Sequence, residues 1–135
     1  MSYAVGAALQ AAVYQALIND PALQALVGTA IYDAVPPGTS DTTYVSIGPE
    51  DTVDASDITG DGAMHDFLVS VITTEAGFQA AKEIAAAISD VLVDADLTLS
   101  RGSLVAIWFV KARARRVEKA DTRRIDLTFR ARVEG

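Results

Sequence analysis

Few residues in this 135-residue chain could do chemistry: one histidine, an acidic glycine-containing run and a basic C-terminal stretch. His65 is the only side chain whose ordinary pKa suits acid–base work near neutral pH. Catalysis would need it in a cleft with an orienting partner. It stands instead in "AMHDFLVSVITTE", residues 63–75, in register with Phe67, Val69 and Val71 on one face of an expected strand. The pattern therefore gives it a structural role. In "DITGDG", Asp57, Thr59, Asp61 and Gly62 match the first half of a calcium loop. The twelfth position is Leu68 where a bidentate glutamate is needed, and a strand pattern follows instead of a helix. The run reads as a solvated negative loop. Gly60 and Gly62 precede no helix and make no dinucleotide fingerprint. No GKS or GKT phosphate loop occurs, and no serine stands in a triad-like context. With no cysteine there is no disulfide, thiolate zinc site or thiol nucleophile. No catalytic residue, cofactor or metal site is expected.

The cations carry more information. Lys111, Arg113 and Arg115 project from one face of the expected penultimate strand and Arg116 from the other. Arg124, Arg130 and Arg132 share the polar face of the last strand. The net charge of −7 hides a division: residues 1–100 hold fourteen acidic groups and one basic, residues 101–135 ten basic and four acidic. Such asymmetry points to an interaction surface. One reading is an exposed sheet face with charges that deter edge-to-edge pairing. A second is nucleic-acid contact, which a net-negative chain with no stacking aromatics on that face serves poorly. A third is a head-to-tail subunit joint, whose two unlike faces must complement each other. Physics alone ranks the first and third equally.

The elements that would position these groups are legible in outline. In "YAVGAALQAAVYQALIND", Val5, Leu9, Val13 and Leu17 recur at helical spacing. "NDPALQALVG" then reads as a second short helix, capped by Asp20, opened by Pro21 and closed by Gly28. "IYDAVPPGTSDTTYVSIG", residues 31–48, gives two short strands around a Pro-Pro-Gly loop. Residues 49–62, with five acids and no sustained period, read as a loop. "GFQAAKEIAAAISDVL" has a helical stripe of Phe78, Ala81, Ala85, Ile88 and Leu92. Strands are expected over 102–116 and 123–134, joined by a hairpin turn. In the last, Ile125, Leu127, Phe129, Ala131 and Val133 alternate with Arg124, Asp126, Thr128, Arg130 and Arg132. The order predicts one α+β domain over residues 1–135: a mostly antiparallel sheet with two main helices packed on one face. The start of the chain lacks a signal-peptide pattern, and no apolar run approaches the ~20 residues that span a bilayer.

Taken together, "ALQAAVYQAL", "PALQALVGTAIYDAVPPGT", "YVSIG", "GAMHDFLVSV", "GFQAAKEIAAAISDVL" and "RRIDLTFRARVE" resemble, in order and spacing, the tail-completion or tail-terminator family of long-tailed phages and gene transfer agents. The resemblance spans nearly the whole chain. It implies a structural virion protein with no catalytic residues: a homo-oligomeric ring, usually of six subunits, on the head-proximal end of the tail tube. Its expected partners are copies of itself, the tail tube protein and a neck or head-completion protein. DNA only passes through the channel, without specific binding, and no membrane is involved. The expected location is the tail–neck junction of a virion assembled in the bacterial cytoplasm.

On that reading Pro36 and Pro37 stiffen a loop against a neighbouring subunit or the tube, because two fixed φ angles and two missing amides stop a ladder there. Lys111, Arg113, Arg115, Arg124, Arg130 and Arg132 would meet the acidic portion of an adjacent subunit. Glu50, Asp51, Asp54, Asp57 and Asp61 would face the channel and repel phosphate. The alternatives are another neck component, stopper or adaptor, and a small α+β nucleic-acid- or ligand-binding module.

Overall fold

A computed structural model describes residues 3–34, 42–56, 60–117 and 122–135. The local signals at the N-terminus form as their chemistry dictates. Helix α1 spans Gly6–Ile18 and buries Leu9, Val13 and Leu17. Helix α2, Pro21–Val27, starts where the Asp20 carboxylate accepts from the Leu23 amide at 2.9 Å, with Pro21 in the first turn. It ends at Gly28, whose φ of 60° suits glycine. Helix α3, Gln79–Leu92, buries Ala81, Ile84, Ala85, Ile88 and Leu92. That is the expected stripe with Ile84 added, while Phe78 sits at the helix start under the Arg123 guanidinium, 5.7 Å from its ring centre.

The strands are β1 (Ile31–Tyr32), β2 (Thr43–Asp54), β3 (Gly62–Thr73), β4 (Ser103–Val117) and β5 (Thr122–Glu134). They form one sheet in the order β1-β2-β3-β5-β4. Only the β1–β2 pairing is parallel. The fold is α+β as expected, with three helices among the described residues, the short α2 beside the two main ones.

Residues 49–62 depart from the expected loop. Strand β2 runs on through Asp54, and Glu50 to Asp54 pair residue by residue with Phe67 to Ala63. An extra residue is accommodated at Gly48–Pro49, between the Ile47–Val69 and Glu50–Phe67 pairs, where the peptide bond is cis. This bulge slips the side-chain phase by one. Val45 and Ile47 therefore share a face with Glu50, Thr52 and Asp54, and the alternation is broken in the sequence. Strand β4 carries two similar slips, at Val105 and Val110. Pro36, Pro37 and Asp57 lie outside the described residues.

One core holds these layers together. Val45, Ile47, Ala63, Phe67, Val69, Val71, Ile107 and alternate residues 125–133 of β5 bury against α1, α2 and α3. All come from one face of the sheet, the face that the alternation of β5 predicts. Phe129 is fully buried at its centre, stacked 5.9 Å from Phe67 and edge-on to Phe109 at 6.1 Å. Gly102 admits the start of β4 beside it. Its φ is +70°, and an added Cβ would stand 2.6 Å from the Glu134 carbonyl oxygen. Phe129→Ala removes the ring on which both neighbouring strands pack, so it should cost about 3–5 kcal/mol in urea unfolding. A loss under ~1 kcal/mol would show that Phe129 is not central to the core.

Candidate assembly interface

The sheet face turned away from the helices carries most of the charge. Alternation delivers Asp66 and Ser70 of β3 there, Arg124, Asp126, Arg130 and Arg132 of β5, and Lys111, Arg113 and Arg115 of β4. Register then decides who meets whom. Arg130 lies across from Asp66 and grips it with two bonds, Nε to Oδ1 at 2.7 Å and an NH2 to Oδ2 at 2.9 Å. Asp126 accepts from Ser70 Oγ at 2.6 Å and Arg124 Nε at 2.7 Å, and Arg115 Nε stands 3.6 Å away. Arg132 donates to the Ala55 carbonyl at 3.1 Å.

The six cations expected at a subunit joint are not equally available. The guanidinium groups of Arg124, Arg130 and Arg132 are engaged within their own chain, and Arg115 is partly engaged. Lys111 and Arg113 are exposed and have no ion-pair partner among the described residues. No sequence signal could have announced the Asp66–Arg130 or Ser70–Asp126 pairs, because they depend on register between strands far apart in the chain.

The acidic candidates also take definite places. Glu50 accepts a bond from the Tyr3 hydroxyl, and its other oxygen lies 3.5 Å from His65 Nδ1. Thr52 Oγ1 is 3.1 Å from the same nitrogen, and the Tyr3 ring stacks on the imidazole at 5.9 Å. His65 is wholly buried beneath this group, and its Nε2 has no hydrogen-bond partner among the described residues. That position suits packing, as its strand register predicts. Asp51 is exposed beside Asp66, across the β2–β3 ladder. Asp54 accepts from Ser56 Oγ at 2.7 Å. Asp61 offers its carbonyl to the Gly135 amide at 3.3 Å. Glu50, Asp51 and Asp54 thus belong to a strand and not to a loop, a correction of the sequence reading. Among the described residues no three His, Cys, Asp or Glu side chains stand together as a metal site. No described helix is long and apolar enough to cross a membrane.

The two ends of the sheet are where another chain could attach. Strand β1 covers little of β2, pairing Ile31 with Val45 and Tyr32 with Ser46. Residues 50–54 extend beyond it. At the other end, β4 is outermost, and the Asp94 amide donates to the Ile107 carbonyl at 3.1 Å on the side away from β5. That contact occupies the strand at Ile107, within its first half. The second half, Lys111 to Arg116, is exposed throughout. Apolar side chains are exposed on the same strand at Val105, Phe109 and Val110. The sequence did not single these out, since the two bulges disturb their period.

A profile of the family described as "Tail completion protein gp17" matches residues 11–134. The chain belongs to this family of tail completion proteins. It is also 71% identical to a chain in the solved structure entitled "Virion of native gene transfer agent (GTA) particle", with a TM-score of 0.94 over 99% of this chain and 100% of that one. No curated protein matches. The protein is thus a structural component of a phage-like tail by family, as the order of its segments implied.

The ion pairs on the polar face make stability acid-sensitive. The Arg130 bond first, and the charge of Arg130 with it, hold the Asp66 carboxyl below the usual carboxylate range against the opposing effect of burial. Burial by itself would raise Asp126, but the bonds from Ser70 and Arg124 and the charges of Arg124 and Arg115 outweigh it, and the net direction is down. A depressed carboxyl stabilises the fold fully above its unfolded value of ~3.9, and the contribution is lost as pH falls through the folded value. Asp126→Asn should therefore cost about 1–3 kcal/mol at pH 7. The gap from the parent protein should close as the pH is taken below ~4. Thermal melts across pH 7 to 2.5 check this; a gap that stays constant would mean that the substitution acts through something other than the lost carboxylate charge.

Proposed function

We propose that this protein is the completion ring of a gene-transfer-agent-like or phage-like tail, a single domain over residues 1–135. Copies of it, six in the simplest case, close the head-proximal end of the tail tube, stop its elongation and present a docking surface to the neck. It resides at the tail–neck junction of a virion assembled in the bacterial cytoplasm. It acts by shape and charge and transforms no substrate. The observation that carries this reading is the near-complete match, at 71% identity, to a chain of a gene transfer agent virion. The match to the tail completion family over residues 11–134 agrees with it.

The geometry supports a passive role toward DNA. Arg124, Arg130 and Arg132 bond to oxygens of their own chain, which leaves them less able to neutralise phosphates. Asp61 directly precedes β3, and we assign Asp57 and Asp61 to the channel rim, where negative charge lets DNA pass without sticking. Pro36 and Pro37 remain assigned to a joint with the neighbouring subunit or the tube.

Tube subunits polymerised with and without the protein test the reading. Electron microscopy should find shorter tubes of fixed length, with a ring at one end only, when the protein is present. Filter binding at physiological salt should find no tight DNA affinity. Tubes of unchanged length with bare ends would overturn the terminator role. Tight, salt-sensitive DNA binding would instead favour a nucleic-acid module.

A further inference from the structure

We propose that neighbouring copies join by strand addition, the second half of β4 in one copy pairing antiparallel with residues 50–54 of β2 in the next. This rests on the ring reading and names the surfaces that would build the ring.

Three features of the fold lead to it. First, each end of the sheet is covered in part. On β2 the cap is β1, at Val45 and Ser46, reinforced by the Val45 amide donating to the Ala30 carbonyl at 2.9 Å. On β4 the cap is the Asp94 amide on Ile107. Among the described residues no further strand pairs with 50–53 at one end or with 111–115 at the other. A strand edge left open holds a row of unpaired amides and carbonyls, which another strand can satisfy.

Second, the two open stretches are oppositely charged. "KARARR", residues 111–116, carries four cations, of which Lys111 and Arg113 have no ion-pair partner among the described residues. "EDTVD", residues 50–54, carries three carboxylates: Asp51 is exposed, while Glu50 and Asp54 also bond to Tyr3 and Ser56 of their own chain. Two copies of the same edge would repel, while unlike edges attract.

Third, the strand directions agree. Successive pairings β2–β3, β3–β5 and β5–β4 are all antiparallel. Strand β4 therefore runs opposite to β2, and a sheet continued into the next copy makes an antiparallel ladder. One register satisfies charge and face together. With Asp51 across from Arg115, both on the polar face, Glu50 meets Arg116 and Thr52 meets Ala114 on the helix-bearing face. Val53 then meets Arg113, and Asp54 meets Ala112. The end of β4 at Val117 arrives at Pro49, just short of the position that β1 occupies. The small side chains of Ala112 and Ala114 leave room on that face for Thr52 and Asp54.

The joint uses unlike edges, so every copy keeps one of each. Such a contact is head-to-tail and closes into a ring when the rotation allows.

The chain has no cysteine, so paired cysteines read the contact directly. Residues opposite one another in an antiparallel ladder have Cα atoms about 4.5–5.5 Å apart, within disulfide reach. Asp51→Cys/Arg115→Cys in one chain, assembled on tail tubes and oxidised, should give a ladder of covalent oligomers ending at the ring size. A mixture of the two single variants should stop at dimers, and each alone should give none. Rings on the tube ends without a ladder would overturn the strand joint and leave the ring reading standing. Wild-type protein that puts no ring on the tubes would overturn the ring reading itself.

Charge reversal provides a readout independent of disulfide formation. Asp51→Arg or Arg115→Asp alone should weaken assembly by about tenfold, and combining the two in one chain should restore it. Unchanged assembly of both single variants at low salt would also overturn the proposal.

Discussion

The β3–β5 ladder is the constraint on which the rest of the structure depends. Twelve consecutive pairs, from Gly62–Glu134 to Thr73–Arg123, fix two central strands in one register. A slip of one residue would turn Phe67, Val69, Leu127 and Phe129 out of the core and drive Asp66 and Arg130 into it. Burial of the apolar set and pairing of the charged set therefore select the same alignment. The helices contribute the other wall of the core, but the register is settled between these strands. Once it is settled, β2 and β4 take their places on either side.

The same ladder explains why so basic a segment is so quiet. The last strand alone has four arginines, yet carboxylates of β3 and β5 and a carbonyl of the β2–β3 turn absorb three of them. The Asp66–Arg130 pair, about a third exposed on both sides, contributes little stability by itself. The larger effect of these contacts is on what the protein can bind. A guanidinium already held by two oxygens of its own chain has fewer donors left for phosphate. Charge that remains available is concentrated on β4, outside the ladder, where Lys111 and Arg113 stand exposed without partners among the described residues. The chain thus separates cations that set its own fold from cations that face outward.

What the sequence disclosed depended on how local the cause was. Helix α2 could be read to the residue because Asp20, Pro21 and Gly28 each act within one turn of chain. The alternation of β5 gave its buried face because no bulge interrupts that strand. Strand β2 was half missed because the bulge at Gly48–Pro49 slips the phase. Past it, acidic residues of low strand propensity are held extended by pairing with β3. Strand formation there is imposed by a partner more than by composition. The order of strands, the Asp66–Arg130 grip and the partial covering of the outer edges are all consequences of register, which a single sequence does not carry. The family resemblance was legible for a different reason: order and spacing of segments survive where individual pairings cannot be inferred.

Open sheet edges are a hazard, because they can pair with any other strand, and a protein that assembles through them could not simply abolish them. A strand edge is chemically generic, since every main chain offers the same amides and carbonyls. Specificity must then come from side chains flanking the edge and from how much of it is left open. Here β1 and Asp94 shorten the two open stretches, and bulges at Val105 and Val110 bend the remainder of β4. Cations line one stretch and anions the other. Pairing of β4 with β4, or of β2 with β2, places like charges across a ladder, which is unfavourable. Pairing of β4 with β2 places unlike charges there. On the proposed joint, the arrangement disfavours both symmetric pairings relative to the head-to-tail one, so one set of charges would keep copies apart in wrong orientations and bring them together in the right one.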